Sequence, residues 1–333
     1  MKESYKNKNK KVADFWGLAE NTSIQNGKCF HWMESPMVQD RINKKISGDK
    51  DVDWVSYVIN KYLCDMNNKT ALSLGCGIGN LERDLQRRKI FKVMEAIDVS
   101  EGAISQAKKL VEDFGDMINY SIGDVNSIKL ERNKYSVVFF CSSLHHVQNI
   151  EHVLDEVKKT LVSDGILIIY EYIGPSQFQL TNTQTSIINQ VIDILPPIYR
   201  TSIKNQNQLK PYHVPSTKEY MNKVDPSEAI RSSEIVKILK KKFLIIERKD
   251  FGGTLLQFLL QDIAGNFNPG DIKDATVLKL LFYIEDSLIN SGALSSDFTF
   301  MVLGKKQFGR LFIQKILLRI SGIIKRINSL ILK

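Results

Sequence analysis

The run ALSLGCGIGN places three glycines directly after a short apolar segment. Gly75, Gly77 and Gly79 have GxGxG spacing, whereas a dinucleotide-binding loop has GxGxxG spacing. Glycine lets the backbone approach a ligand closely, so this loop is a candidate cofactor seat. Asp98 lies 19 residues beyond Gly79, about the separation at which an acidic side chain binds ribose hydroxyls. Asp124 offers a second acceptor, suited to an adenine amino group, and the two acids together predict a bound nucleoside.

Two adjacent histidines, His145 and His146, offer a different chemistry, because a histidine can accept a proton from a hydroxyl near neutral pH. They closely follow the apolar run YSVVFFC. The alternative is that one or both rings only pack beneath a cofactor or cap the helix that begins near Asn149. The sequence shows no acidic cluster that suggests a metal site, so we predict no bound metal.

The segments that carry these residues alternate between strand-like and helix-like patterns over residues 70–172. This rhythm predicts an α/β fold with a doubly wound, Rossmann-like parallel sheet. Ligands of such sheets bind beyond the carboxyl ends of the strands, where the glycines, the aspartates and the histidines are expected to lie. Two later runs, FLIIERKD and DFTFMVLGK, are expected to complete the sheet around helical insertions.

Changes of pattern and proline-rich joints divide the chain into five segments. These are an N-terminal helical cap (1–64), a cofactor-binding core (65–173), a helical lid or substrate insertion (174–242), the completion of the sheet with a helical insertion (243–304) and a basic amphipathic tail (305–333). Within the lid, the run DPSEAI is predicted to start a helix, with Asp225 as N-cap and Glu228 completing a capping box.

The net charge of +9 is concentrated at the two ends of the chain. Residues 1–11 carry +4 and residues 305–333 carry +8, which leaves −3 for the body between them. A body without basic excess argues against a nucleic-acid partner. The competing hypothesis is a non-catalytic or nucleic-acid-binding module that is recruited through its basic termini.

The tail, residues 305–333, has isoleucines on one side of a helical wheel and basic residues mostly on the other. Such a helix without acids favours contact with a membrane surface or a partner, the alternative being that it packs on its own domain. No apolar run reaches the ~18–20 residues of a membrane span, and the N-terminus lacks the apolar core of a signal peptide. The four cysteines lack metal or disulfide spacing and are read as free thiols. We therefore expect a cytoplasmic protein whose tail contacts the inner face of the membrane.

Five runs taken together resemble the class I S-adenosylmethionine (SAM)-dependent methyltransferases over about residues 60–172. They are ALSLGCGIGN, EAIDVS, SIGDV, YSVVFFCSSLHHV and LVSDGILIIYEY. The resemblance implies a seven-stranded sheet with the last strand antiparallel, and SAM as the cofactor. It also implies the roles of individual residues: Gly75, Cys76 and Gly77 at the methionine part, Asp98 at the ribose, Val99 beside the adenine and Asp124 at its amino group, with Gly79, Val125 and Cys141 completing the candidate set. In YSVVFFC, the predicted fourth strand, Ser136 stands where the family usually has aspartate.

The resemblance also bears on the acceptor of the methyl group. Some O-methyltransferases of the family carry a catalytic histidine at the position of His145, which makes His145 the favoured base and His146 the second choice. The fourth strand is not followed by an (N/D)PP(Y/F) run, and Cys141 is not preceded by proline, so methylation of nucleobases is not indicated. We predict a small-molecule or glycan acceptor, methylated on a hydroxyl.

The acceptor pocket is expected to come from the insertions. The candidate substrate residues are Glu171, Tyr172, Gln177, Tyr212, His213 and Gly253. Each has a structural alternative, such as a turn or a surface loop. The runs EYIGPSQFQ, DPSEAIRSSEI and GGTLLQFLLQDIAGNF loosely resemble bacterial methyltransferases of polysaccharide and secondary-product biosynthesis.

Overall fold

The computed structural model describes residues 24–25 and 28–306 of the chain. Two short strands, Ile24–Gln25 and Lys28–Cys29, pair in an antiparallel arrangement. The main sheet consists of β1 (Thr70–Leu74), β2 (Val93–Asp98), β3 (Ile118–Ile122), β4 (Tyr135–Cys141), β5 (Leu161–Tyr172), β6 (Phe243–Gly252) and β7 (Phe298–Lys305).

The seven strands lie in the order β3-β2-β1-β4-β5-β7-β6. Strands β1 to β5 pair in parallel, and β7 is antiparallel to both β5 and β6. The predicted doubly wound sheet with an antiparallel last strand is thereby confirmed. The strand order reverses between β1 and β4, so the edge beyond these two strands is where such a sheet binds ligands.

Helices cover both faces of the sheet. They are α1 (Pro36–Ser47), α2 (Trp54–Tyr62), α3 (Asn80–Arg87), α4 (Glu101–Lys109), α5 (Ile150–Thr160), α6 (Asn182–Ile194), α7 (Pro197–Arg200), α8 (Lys218–Val224), α9 (Ile235–Lys242), α10 (Leu256–Leu260) and α11 (Ile272–Asn290). Strand β4 is apolar throughout because alternate side chains enter two different cores. Val137 and Phe139 belong to a core that also contains side chains of α1, α2, α6, α10 and α11, whereas Val138 and Phe140 belong to a core that contains side chains of α5 and α9.

A buried ion pair ties the N-terminal helices to the far side of the molecule. Arg41 of α1 donates to Glu285 of α11 at 2.7 Å, and the Glu285 side chain is fully buried. The same carboxylate accepts the backbone N–H groups of Gly253, Leu255 and Leu256. One acidic residue therefore holds α1, α11 and the loop after β6 in a fixed arrangement.

The lid differs from its prediction at the run DPSEAI, which forms consecutive turns and no α-helix. Oδ1 of Asp225 accepts both the N–H and the hydroxyl hydrogen of Ser227, at 2.8 and 2.7 Å. Such local side-chain bonds compete with helix formation. The turn brings Ser227 and Glu228 towards the end of β4, as described below.

The predicted amphipathic tail lies outside the described residues, apart from its first two positions. Within residues 24–25 and 28–306, no helix combines the length and the apolar content needed to cross a bilayer.

Candidate functional site

A cavity of about 330 Å³ lies beyond the carboxyl ends of β1, β2 and β4. It is lined by eight of the nine residues predicted to hold the cofactor, namely Gly75, Cys76, Gly77, Asp98, Val99, Asp124, Val125 and Cys141. Of the two predicted catalytic residues, His146 lines the cavity and His145 does not. Lining residues that the sequence did not single out include Ser73, Glu82, Asn126, Ser142, Ser143 and Ser227.

The glycine loop is held tightly against its neighbours. Gly75 has a φ of +72°, and its N–H donates to the carbonyl of Ile97 at 2.8 Å. A Cβ atom added to Gly75 would lie 2.4 Å from Cβ of Ser143, so a larger residue does not fit at this position. Gly77 donates its N–H to Oδ2 of Asp98 at 2.9 Å. The loop and the candidate ribose acceptor therefore fix each other.

Gly79 is placed differently from its prediction, since it does not line the cavity. Its φ is +80°, and an added Cβ would lie 1.9 Å from the hydroxyl oxygen of Tyr120. Gly79 thus allows the loop to pass close to β3 and to enter α3.

Both predicted acidic positions carry carboxylates that order local backbone at the cavity wall. Oδ1 of Asp98 accepts the N–H of Ser100 at 2.8 Å, which joins β2 to the start of α4. Oδ1 of Asp124 accepts the N–H of Asn126 at 2.9 Å. A carboxylate oxygen has a second lone pair, so each side chain retains acceptor capacity for a nucleoside.

Glu82, in the first turn of α3, was not identified from the sequence. It is 1% exposed, and neither carboxylate oxygen makes a hydrogen bond within the described residues. Burial raises the pKa of Glu82 to about 7, although the nearby Ser73 hydroxyl acts in the opposite direction. A glutamate in a first helical turn usually only complements the helix dipole, so its sequence position gives no signal.

These residues fit a cationic nucleoside. A buried carboxylate without a partner is costly, and a positively charged ligand group would offset that cost. SAM carries a sulfonium and an ammonium group. Its ribose hydroxyls and its adenine amino group can donate hydrogen bonds to Asp98 and Asp124.

Residues 72–169 match the family model described as a methyltransferase domain. This span contains the glycine loop, both aspartates and both histidines. The chain carries a class I SAM-dependent methyltransferase domain. The predicted family, enzyme class and cofactor of this domain are thereby confirmed.

The methyltransferase domain is similar to curated proteins with differing substrates. A demethylmenaquinone methyltransferase of Thermotoga maritima is 24% identical over 142 residues, which cover 43% of this chain and 60% of that protein. A sterol 24-C-methyltransferase of Candida albicans is 25% identical over 148 residues, covering 42% of this chain and 38% of that protein. The chain therefore spans less than two thirds of the length of these relatives.

Among solved structures, a geranyl diphosphate C-methyltransferase from Streptomyces coelicolor A3(2) is similar to the chain. The sequence identity is 11% and the TM-score is 0.48, with 89% of this chain and 97% of that chain covered.

A carboxylate positions the turn that carries the two histidines of the methyltransferase domain. The Nδ1 atom of His145 is hydrogen-bonded to Oε1 of Glu171, which is fully buried on β5. Oε2 of Glu171 accepts the N–H groups of Ser143 and Leu144 at 3.0 and 2.6 Å. Glu171, predicted to contact substrate, is thus placed beneath the turn and supports His145.

The ring of His145, the predicted general base, lies between two carboxylates. Its Nε2 atom lies 3.5 Å from Oε1 of Glu228. Burial alone would lower the pKa of His145, but the carboxylates of Glu171 and Glu228 outweigh burial and raise it to about 9.

His146 is the histidine that the cavity reaches. Its Nδ1 atom lies 3.1 Å from the hydroxyl oxygen of Ser227. Because Ser227 donates its own hydrogen to Asp225, its oxygen accepts the Nδ1 hydrogen of His146. Nε2 of His146 then carries the lone pair of the ring and lies 3.9 Å from Oε2 of Glu228. Burial and the neighbouring His145 hold the pKa of His146 well below its ordinary value of 6.5.

Two further predicted substrate residues are buried away from the cavity lining. The hydroxyl of Tyr172 donates to the carbonyl of Pro175 at 3.1 Å, and its side chain is 2% exposed. Gly253 is enclosed by Phe298 and Trp32, since an added Cβ would lie 2.4 Å from the Phe298 ring. Both residues therefore contribute to packing around the site.

The three candidates in the lid also lie outside the cavity lining. Gln177 donates to the Asn222 side chain at 3.1 Å, and Tyr212 donates to Asp193 at 2.8 Å. The ring of His213 packs against Phe258, with centroids 4.9 Å apart. From the lid, the residue that does line this cavity is Ser227.

Proposed function

We propose that the chain transfers the methyl group of SAM to a hydroxyl of a small-molecule or glycan acceptor. The observation that carries this proposal is the buried carboxylate of Glu82, which lines the cavity formed by the glycine loop and forms no ion pair within the described residues. When bound, SAM supplies an electrophilic methyl group on a positively charged sulfur. The side chains named below bind and orient the two reactants.

Asp98 and Asp124 would bind the ribose and the adenine amino group, and Gly75 and Gly77 would border the methionine part. Glu82 would stabilise the positive charge of the donor. Alignment of acceptor and methyl group supplies much of the rate of an in-line displacement. The rigid loop, held by bonds to Ile97 and Asp98, serves this alignment because it need not reorganise.

The acceptor would enter where Cys141, Ser142, His146 and Ser227 line the cavity. Ser142 has a φ of +52°, a conformation that a non-glycine residue adopts at a cost and that is frequent at functional sites. These hydroxyl and imidazole groups suit an acceptor that carries hydroxyls. We assign acceptor activation to the cluster of His145, His146 and Glu228.

Equilibrium binding of SAM and S-adenosylhomocysteine to the full chain tests the donor site. Both should bind at one site per chain, and turnover of radiolabelled SAM should then be measured on a panel of glycans and hydroxylated small molecules. Failure to bind either nucleoside would refute the proposal. Binding without transfer to any hydroxyl would refute the acceptor class alone.

We further propose that the tail, residues 305–333, holds the enzyme at the anionic inner surface of a membrane, which would suit a lipid-linked glycan. Its eight basic residues and absence of acids support this proposal. Flotation with anionic vesicles should recover the full chain at low salt. A full-length variant with Lys315, Arg319, Lys325 and Arg326 changed to glutamine should remain unbound. Equal flotation of the two proteins would exclude the tail as the anchor.

A further inference from the structure

We propose that His145, His146 and Glu228 bind a divalent transition-metal ion at the acceptor end of the cavity. Nε2 of His145 lies 3.5 Å from Oε1 of Glu228, and Nε2 of His146 lies 3.9 Å from Oε2. One donor atom from each of the three residues lies within 4.8 Å of the others. Tetrahedral ligand atoms at about 2.1 Å from zinc lie about 3.4 Å from one another. Small movements of the three side chains would therefore bring their donor atoms to metal-binding distances.

The outer hydrogen bonds of both histidines are those of a metal site. Nδ1 of His145 is held by the Glu171 carboxylate, and Nδ1 of His146 is held by the Ser227 hydroxyl. Ser227 is oriented in turn by Asp225. Metal-binding histidines usually donate one ring N–H to such an acceptor, which fixes the tautomer and presents the other nitrogen to the ion. Here both Nε2 atoms face the same carboxylate.

The charge of the cluster also favours a cation. Three acidic residues, Glu171, Asp225 and Glu228, act on the ring of His145, and Glu228 also lies 3.9 Å from His146. The nearby Arg231 is engaged elsewhere, with Glu151 at 2.7 Å and Glu234 at 2.8 Å. A divalent ion would balance these carboxylates in a largely buried environment.

The donor set indicates the class of metal. Two imidazoles and one carboxylate suit zinc or a similar first-row ion, whereas magnesium and calcium prefer sites built from oxygen atoms. His146 and Ser227 line the cavity, so the remaining coordination positions would face the acceptor. An ion there would polarise an acceptor hydroxyl. This role rests on the proposed methyl transfer, whereas metal binding itself does not.

Calorimetry with zinc on the chelator-treated full chain tests the site. We expect one ion per chain, with affinity reduced about 10- to 100-fold or more by His146→Ala and by Glu228→Gln. Cobalt should give the visible absorption of a low-coordinate site, and both variants should lose it. His152→Ala is the matched control, because His152 is an exposed histidine of α5 that bonds to the carbonyl of Ile128. It should bind zinc as the wild type does.

Binding of S-adenosylhomocysteine provides a separate readout. Both site variants should match the far-UV circular dichroism spectrum of the wild type, which shows that they are folded. Absence of a stoichiometric zinc site in the wild type, or equal zinc affinity in the site variants, would overturn the metal proposal. Zinc binding without nucleoside binding would instead overturn the proposed function and leave the metal site standing.

Discussion

The carboxylate of Glu171 holds the ring of His145 and the backbone of the turn that carries it. Oε1 bonds to Nδ1 of the imidazole, while Oε2 accepts the N–H groups of Ser143 and Leu144. Both residues are buried, so no solvent replaces these bonds when one partner is altered. A single side chain of β5 thus sets the orientation of the end of β4.

Glu171→Gln should keep the turn and remove the hydrogen from Nδ1 of His145. The amide oxygen can still accept from Ser143 and Leu144, but its NH₂ group must then donate to Nδ1 of His145. Loss of the charged hydrogen bond should cost about 1–3 kcal/mol of unfolding free energy. Nitrogen-15 NMR should show Nδ1 without its hydrogen. A spectrum with Nδ1 still protonated would show that the Glu171 carboxylate does not keep the hydrogen on Nδ1.

Glu82→Gln should weaken SAM binding about tenfold or more, which corresponds to about 1.4 kcal/mol. The substitution preserves shape and removes the negative charge that faces the cavity. S-adenosylhomocysteine lacks the sulfonium charge, so a larger loss for SAM would place Glu82 at the sulfur, and equal losses would place it at the ammonium. Glu101→Gln, an exposed acid in the first turn of α4, is the control. Unchanged affinities would remove Glu82 from the donor site.

The stability of the nucleoside-free protein should depend on pH through Glu82. Burial raises its pKa from the ordinary 4.5 to about 7, with Arg83, Asp98, Tyr120 and Cys141 as the titratable neighbours. The folded state therefore binds the proton more tightly than the unfolded state. Protonation of Glu82 therefore stabilises the folded state. This contribution is fully present below pH 4.5 and is lost as the pH rises through 7, on the order of 3 kcal/mol in total.

This effect is measured as the difference in unfolding free energy between the wild type and Glu82→Gln across that pH range. The unfolding free energy of Glu82→Gln should rise relative to that of the wild type as the pH rises. A constant difference would show that Glu82 titrates alike in the folded and unfolded states.

Arg41→Met should destabilise the fold, because it leaves the fully buried Glu285 without its cationic partner. Removing one member of a buried pair costs about 3–5 kcal/mol. Arg88→Met, which breaks an exposed pair with Asp84, should cost less than about 1 kcal/mol. Urea unfolding midpoints measure both. Similar midpoints for the two variants would contradict the structural role of Arg41.

Local patterns in the sequence determined the positions of the strands and of the residues at their ends. The continuous apolar run of β4 and the alternation around it predicted the parallel sheet, and parallel strands bring their carboxyl ends to one edge. The glycine loop, Asp98, Asp124 and His146 follow those ends, so they meet in one cavity without any further information. The run DPSEAI was mispredicted because the bonds from Asp225 to Ser227 compete with a helix of ordinary capping pattern.

Only the tertiary structure decided which groups face each other. His145 meets Glu171 from the neighbouring strand and Glu228 from the lid, and Ser227 reaches His146 across 81 positions of sequence. From the sequence, Glu82 is an ordinary acidic residue in the first turn of a helix. In the structure it is buried and lines the cavity together with Ser73 of β1 and the glycine loop. Periodicity fixes which face of an element is buried, but the partner of a buried polar group depends on distant segments packed against it. Most of the predicted residues that line the cavity could therefore be placed from the sequence, whereas the hydrogen-bond partners of each histidine could not.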